Sequence, residues 1–520
     1  MKYLLKKIDV AALLISIYTS IVWAIYMFLF IADKTGFIVL QAVFIAICSY
    51  LFFTFVLKNL RGIDDIEPGD PRVPGRKEKI LVFTSFSIVS FALMMIWFGA
   101  YYPGSFSVDS MTQYSQAVTG EYDDWHPVWH TVLFFTLPLK LFGRPSAIIL
   151  FQMIYFALVM GYLALTLCEI LNLRAAIISL AYILLNPYTG NIMLYPWKDV
   201  AFALGGLLCT IFSIRLIFYE EKSTKGWKLV LFGIVLASTT IFRHNAILFT
   251  APLVIALFFY VKRKTWIKVL LCTFVAFFII EVPVYHLLNV QKPDQRVIES
   301  MGLPMTVIAN VAKETPDLMD EELAEFVYSI ATGEQWTNHY YCGSFNSIKW
   351  SGIDTTIVEE KGHLGTLKLM AKCFKLSPKE SFKAMLALTD MVYGFENGLE
   401  GNVTAEIVEN SFGIQYREPV NETLRYLVSA YSDFINNSVF RYLRTYGVVL
   451  LVLLVVFLSR MDFCIWDSWK KVFMMLPIFA YDFGTMLLLT GPDSRFFFIT
   501  YLVTPILIIF AFYGGKKNDV

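Results

Sequence analysis

The chain has 520 residues, 57% of them hydrophobic and only 16% charged, too few charges to cover a soluble protein of this size. Lys and Arg number 43 against 42 Asp and Glu, a formal net charge of +1. With no basic stripe carrying interleaved aromatics, that balance argues against a nucleic-acid binder.

Mean hydropathy is +0.60, and apolar runs of about 18 to 23 residues recur, which predicts an all-α polytopic membrane protein. The opening "MKYLLKKIDV" leads into a full-length apolar run, so the first helix is expected to be its own targeting element. In chain order, spans are predicted near 9–32, 36–57, 80–100, 147–170, 174–190, 199–218, 228–242, 246–261, 267–289, 445–459, 472–490 and 496–513. One further window, "VWHTVLFFTLPLKLFG" at 128–143, is short for a crossing and holds Pro138, His130, Thr131, Thr136 and Lys140. Reading it as an interfacial helix puts Lys2, Lys6, Lys7, the 58–79 loop, Arg174, "EEKSTKGWK", "KRKTWIK", "SRMDFCIWDSWKK" and "GGKKNDV" on the cytoplasmic side. About twelve crossings follow, with both termini inside. The loop 101–146, "NPYTGNIMLYPWKD", "FRHN", the insert 290–444 and "GPDSR" then share the outer face.

Four regions are expected: 1–79, two membrane helices and a cytoplasmic loop; 80–289, a membrane core with the outer loop 101–146; 290–444, an extracytoplasmic, mainly helical domain; and 445–520, the C-terminal membrane helices. In the insert, "DLMDEELAEFVYSIATG" and "SPKESFKAMLALTDMVYGF" read as amphipathic helices, and "GSFNSIKWSG" as loop. Asn402 and Asn421 head sequons that matter only in a secretory-pathway host. The seven cysteines are scattered without a CxxC pair and read as small hydrophobes.

Polar chemistry is concentrated in "YYPGSFSVDSMTQYSQAVTGEYDDWHPVWH", residues 101–130. Asp109 or Ser107 could cap a short helix. Alternatively Asp109 is a general base, its pKa raised by apolar surroundings. Asp123 and Asp124 precede Pro127 as acids of a helix start. His126 and His130 have zinc-ligand spacing, but Pro127 stands where a metalloprotease needs Glu, so they read as a rim orienting a phosphate or hydroxyl. Trp125 and Trp129 suit an interfacial belt. Lys198 and Asp199 open a span, either as a mutual ion pair or with the lysine facing an anionic head group. Arg243, His244 and Asn245 interrupt apolar chain, and Asp493 and Arg495 open the last span. Two arginines and a lysine at one depth suit phosphate; the alternative is structural pairing with Asp493 or Glu281.

These motifs resemble the GT-C superfamily of integral-membrane glycosyltransferases. More narrowly, "PGSFSVDSMTQ", "WHPVWHT", "WKD", "RHN", "PDSRF" and "RVIESMGLPMTVIANVAKE" resemble the bacterial DUF6020-type membrane proteins. The resemblance implies a GT-C-like fold and sugar transfer from a polyprenyl-phosphate donor to an envelope glycan or lipid acceptor, on the outer face of a bacterial plasma membrane. Asp109 would deprotonate the acceptor, and Arg243, Lys198 and Arg495 would hold the phosphate. His126, His130, Asp199, His244, Asn245 and Asp493 would complete the substrate-binding set. Ser110, not a second acid, follows Asp109, which leaves metal dependence open. No cofactor is assigned, and a divalent cation on Asp123 and Asp124 is the outside alternative. Two other classes stand beside the enzyme: a transporter or flippase of a lipid-linked or anionic solute, and a non-enzymatic envelope assembly factor. The chain shows no internal repeat, and its charges cluster at one edge, not at the midplane, which weighs against the transporter.

Overall fold

Each apolar window folds as helix because a bilayer leaves backbone polar groups no partner but the helix itself. The computed structural model describes residues 9–31, 35–67, 71–73, 75–219, 225–292, 297–396, 406–416 and 422–514, without the side chains of 466 and 467. Lys2, Lys6, Lys7, most of "EEKSTKGWK", Asn402, Asn421 and nearly all of "GGKKNDV" lie outside the described residues.

The main helices are α1 (Val10–Phe30), α2 (Thr35–Arg61), α3 (Arg76–Ala100), α4 (Val108–Thr119), α5 (Val128–Phe142), α6 (Ser146–Ile170), α7 (Leu173–Leu184), α8 (Lys198–Phe218), α9 (Gly226–Ile241) and α10 (Ile247–Phe258). They continue as α11 (Arg263–Leu287), α12 (Gly302–Glu314), α13 (Glu321–Ile330), α14 (Thr356–Leu376), α15 (Pro378–Tyr393), α16 (Glu422–Asn436), α17 (Tyr446–Ser459), α18 (Leu476–Met486) and α19 (Phe498–Ala511). Among the described residues there is no strand, only isolated bridges such as Phe106 with Ile407.

Seven helices among the described residues are long and apolar enough to cross a membrane: α1, α2, α3, α6, α8, α11 and the stretch Ser494–Ala511 that contains α19. This describes a multi-pass membrane protein. The other windows among the twelve suggested by hydropathy fold as shorter apolar helices, such as Leu173–Leu184, Gly226–Ile241, Ile247–Phe258 and Tyr446–Ser459. α7 has 12 residues and stops before Asn186-Pro187, where Asn186 caps the next turn. At 1.5 Å per residue it reaches about 18 Å, against a hydrocarbon core of about 30 Å. α9 and α10 are separated at Phe242–Ala246, around "RHN", where the windows 228–242 and 246–261 placed the break.

α5 is 15 residues long, and Thr131–Thr136 within it are π-helical. Pro138, two residues after that stretch, lacks the N–H that would continue a regular ladder. The insert has an apolar core of its own around Phe326, Trp336, Tyr340, Phe345, Leu369 and Cys373. Its loop "GSFNSIKWSG" contains a helical turn, Asn346–Lys349. The insert abuts the membrane part just before Asp493: Asn346 N donates to Thr490 O at 2.9 Å, and Gly302 lies so close that a Cβ there would meet Leu489 O at 2.0 Å. At the opposite ends of α3, α6 and α8, the buried Glu169 takes Lys79 at 2.6 Å and Arg215 at 2.5 Å.

Candidate functional site

The centre of the site is Arg495, in the turn Ser494–Phe497 that opens the last span. Asp493 caps that turn, its Oδ1 accepting from Arg495 N at 3.1 Å. Arg495 Nη1 meets Asp109 Oδ2 at 2.8 Å, and Nε faces Asp493 Oδ2 at 2.8 Å and Asp199 Oδ2 at 3.7 Å. The guanidinium lies 4.9 Å from the Trp197 ring centroid and 5.2 Å from that of Phe496. Asp199 is completed by Arg243, whose Nη1 lies 2.8 Å from Asp199 Oδ1. The same Nη1 donates to Tyr481 Oη at 2.7 Å, and Arg243 sits 4.2 Å above the Phe496 ring.

Local sequence explains why two of these carboxylates arrive together. Asp109 is the second residue of α4, and Asp199 is the second residue of α8. Neither helix start has a side-chain cap, and a first-turn carboxylate complements the helix dipole. Ser107 does not cap α4; its Oγ accepts from Trp197 Nε1 at 2.8 Å, which ties the two helix starts to each other.

Lys198 and Asp199 do not pair with each other. Lys198 Nζ donates to His126 Nδ1 at 2.9 Å, and among the described residues no carboxylate lies within 4 Å of it. Burial and the Lys198 ammonium push His126 down to about 3, so its imidazole is neutral and can accept that bond. His130 is fully buried, with its ring stacked on Phe134 at 5.0 Å. Gln113 Oε1 lies 2.6 Å from His130 Nδ1 and accepts from Thr131 Oγ1 at 3.1 Å, so Nδ1 carries the proton. His130 Nε2 is buried and has no hydrogen-bond partner among the described residues.

The expected upward shift of Asp109 is wrong in sign. Burial raises its pKa, but the Arg495 and Lys198 cations outweigh burial and leave it at about 2. Asp123 and Asp124 are not acids of a helix start either: Asp123 Oδ1 accepts from Trp125 N at 2.8 Å, and Asp124 Oδ1 from Tyr285 Oη at 2.5 Å. Among the described residues, no three His, Cys, Asp or Glu side chains come together as a metal site. Arg243 takes Asp199, not Glu281, as its carboxylate. Asn245 is turned toward α18, donating to Thr485 Oγ1 at 3.0 Å, and His244 is exposed.

The structure therefore brings Asp109, His126, Lys198, Asp199, Arg243, Asp493 and Arg495 into one contiguous cluster, with His130 linked to α4 through Gln113. Sequence reading missed Gln113, Tyr481 and Phe496. Trp197 stood in plain view in "YPWKD"; Tyr481 sits in an apolar window with no local signal.

Residues 146–387 match the family model of DUF6020, a family of unknown function. That match supports the DUF6020 family. It spans Lys198, Asp199, Arg243 and most of the insert, whereas Asp109, His126, Asp493 and Arg495 lie outside the matched stretch. No curated protein matches the chain, and no solved structure does.

Proposed function

We propose that this protein is a membrane glycosyltransferase of GT-C type, moving a sugar from a polyprenyl-phosphate donor to a hydroxyl of an envelope glycan or lipid on the outer face of the membrane. The observation that carries the reading is the 2.8 Å contact between Asp109 and Arg495, which joins a first-turn carboxylate of α4 to the cations at the starts of two membrane helices. Asp109 takes the proton of the acceptor hydroxyl. The acceptor oxygen bonds to the anomeric carbon, the bond from that carbon to the phosphate oxygen breaks, and its electron pair leaves on the polyprenyl phosphate. Lys198, held by a neutral imidazole and by no carboxylate within 4 Å among the described residues, supplies charge to the departing phosphate. The apolar spans beside the cluster suit a donor delivered from lipid.

The test is profiling of envelope glycans and lipid-linked sugars in a strain lacking the chain. Wild type should restore a glycan product, while Asp109→Asn should lower it by about a hundredfold or more and let the lipid-linked donor accumulate. Full restoration by Asp109→Asn would overturn the assignment.

A further inference from the structure

Asp109 is a poor base for as long as Arg495 holds it, yet the reading above requires it to take a proton. The three carboxylates around Arg495 are not held equally. Asp493 is fixed twice, by Nε at 2.8 Å and by the Arg495 backbone N–H at 3.1 Å. Asp199 is 1% exposed and has Arg243 on its other oxygen at 2.8 Å. Among the described residues, Asp109 is held through one oxygen only, by Nη1 at 2.8 Å. The guanidinium itself lies against Trp197 and Phe496 and keeps its Nε contacts, so it stays in place if Asp109 leaves.

We propose that Arg495 latches Asp109 in the resting site, and that the anionic phosphate of a lipid phosphate ester frees it by taking over the Nη1 edge. Binding of the anionic group and release of the base are then one exchange of ion-pair partners. This rests on the transfer reading for the purpose of the released carboxylate, but not for the exchange itself. A phosphate offers several oxygens to a guanidinium where Asp109 offers one, so it competes well for that edge. Lys198 can receive a further phosphate oxygen, because its present partner is the neutral His126. Once released, Asp109 has lost its nearest cation and gained a neighbouring anion, and both changes strengthen it as a base.

Binding of farnesyl phosphate to the full-length chain in lipid nanodiscs tests the exchange by calorimetry, with inorganic phosphate and farnesol as companion probes. Removing the competing carboxylate in Asp109→Asn, or in Asp109→Ser if the first variant folds poorly, should tighten farnesyl phosphate binding about fivefold to tenfold. Farnesol should show no gain, and a parallel gain for inorganic phosphate would assign the exchange to the phosphate group alone. Unchanged or weaker binding in a folded variant overturns the latch, as does failure of every form to bind farnesyl phosphate. Transfer is read separately. Tighter binding by Asp109→Asn with no transfer by wild type leaves the latch standing and sinks the glycosyltransferase reading. Transfer by wild type with unchanged affinity in the variant does the reverse.

Discussion

At the scale of single residues, the site is a nearly closed set of ion pairs. Asp199 is 1% exposed and depends on Arg243 at 2.8 Å, with Arg495 more distant at 3.7 Å. Arg243→Met should therefore destabilise the protein by about 3 kcal/mol, because it leaves a buried carboxylate with only the more distant Arg495. Adding Asp199→Leu should recover much of that loss. Thermal unfolding of the two variants checks both statements. His126 gives a pH signature. Its folded pKa of about 3 lies below the unfolded value of 6.5, so the folded state favours the neutral ring. The stability it contributes is complete above pH 6.5 and is lost as pH falls toward 3. One proton allows a slope of up to about 1.4 kcal/mol per pH unit. His126→Asn should flatten the decline of Tm between pH 6.5 and pH 4; an unaltered slope would place the titration elsewhere.

At the scale of elements, the breaks matter more than the helices. The separation of α9 from α10 carries Arg243, and the break between α7 and α8 ends in Trp197 and Lys198. The segment 489–495 is buttressed by the insert through Gly302 and Asn346. Gly302→Ala should push α12 off Leu489 at a cost of about 1–3 kcal/mol, since the atom in the way is backbone and cannot rotate aside. Because Asp493 and Arg495 follow four and six residues later, the same change should lower transfer activity in the glycan assay. A loss of Tm with full activity would separate the insert from the site. Much of this level was legible in the sequence. Hydropathy located a helix at each apolar window, and the acids ahead of "EELAEF" marked a real cap, Asp320 accepting from Leu323 N at 3.0 Å. It overestimated length where Asn186-Pro187 ended a helix that average hydropathy carried through, whereas the break at Arg243 was already visible between the windows 228–242 and 246–261.

At the scale of the whole molecule, the positive-inside pattern predicts the insert outside and the 460–471 loop inside. Labelling can check this with an impermeant maleimide on intact cells. Trp350, 75% exposed, is replaced by Cys in a chain with Cys342→Ser, and compared with the exposed native Cys464. Position 350 should label at once and Cys464 only after permeabilisation. The reverse order would invert the topology and move the Arg495 cluster to the cytoplasmic face.

The sequence by itself determined that the chain is helical and membrane-bound, and that its polar motifs are few and compact. Those are consequences of composition and of backbone hydrogen bonding in hydrocarbon, which local chain carries in full. It also marked Asp109, Lys198, Arg243 and Arg495 as too polar for their surroundings. Tertiary structure alone decided their partners. Arg495 lies 386 residues from Asp109 in the chain, and Lys198 turns from adjacent Asp199 to His126, 72 residues away. A charge in a membrane protein must find its counter-charge in space, and which one it finds sets the sign of its pKa shift. For that reason Asp109 moved down to about 2, where apolar surroundings alone had suggested up.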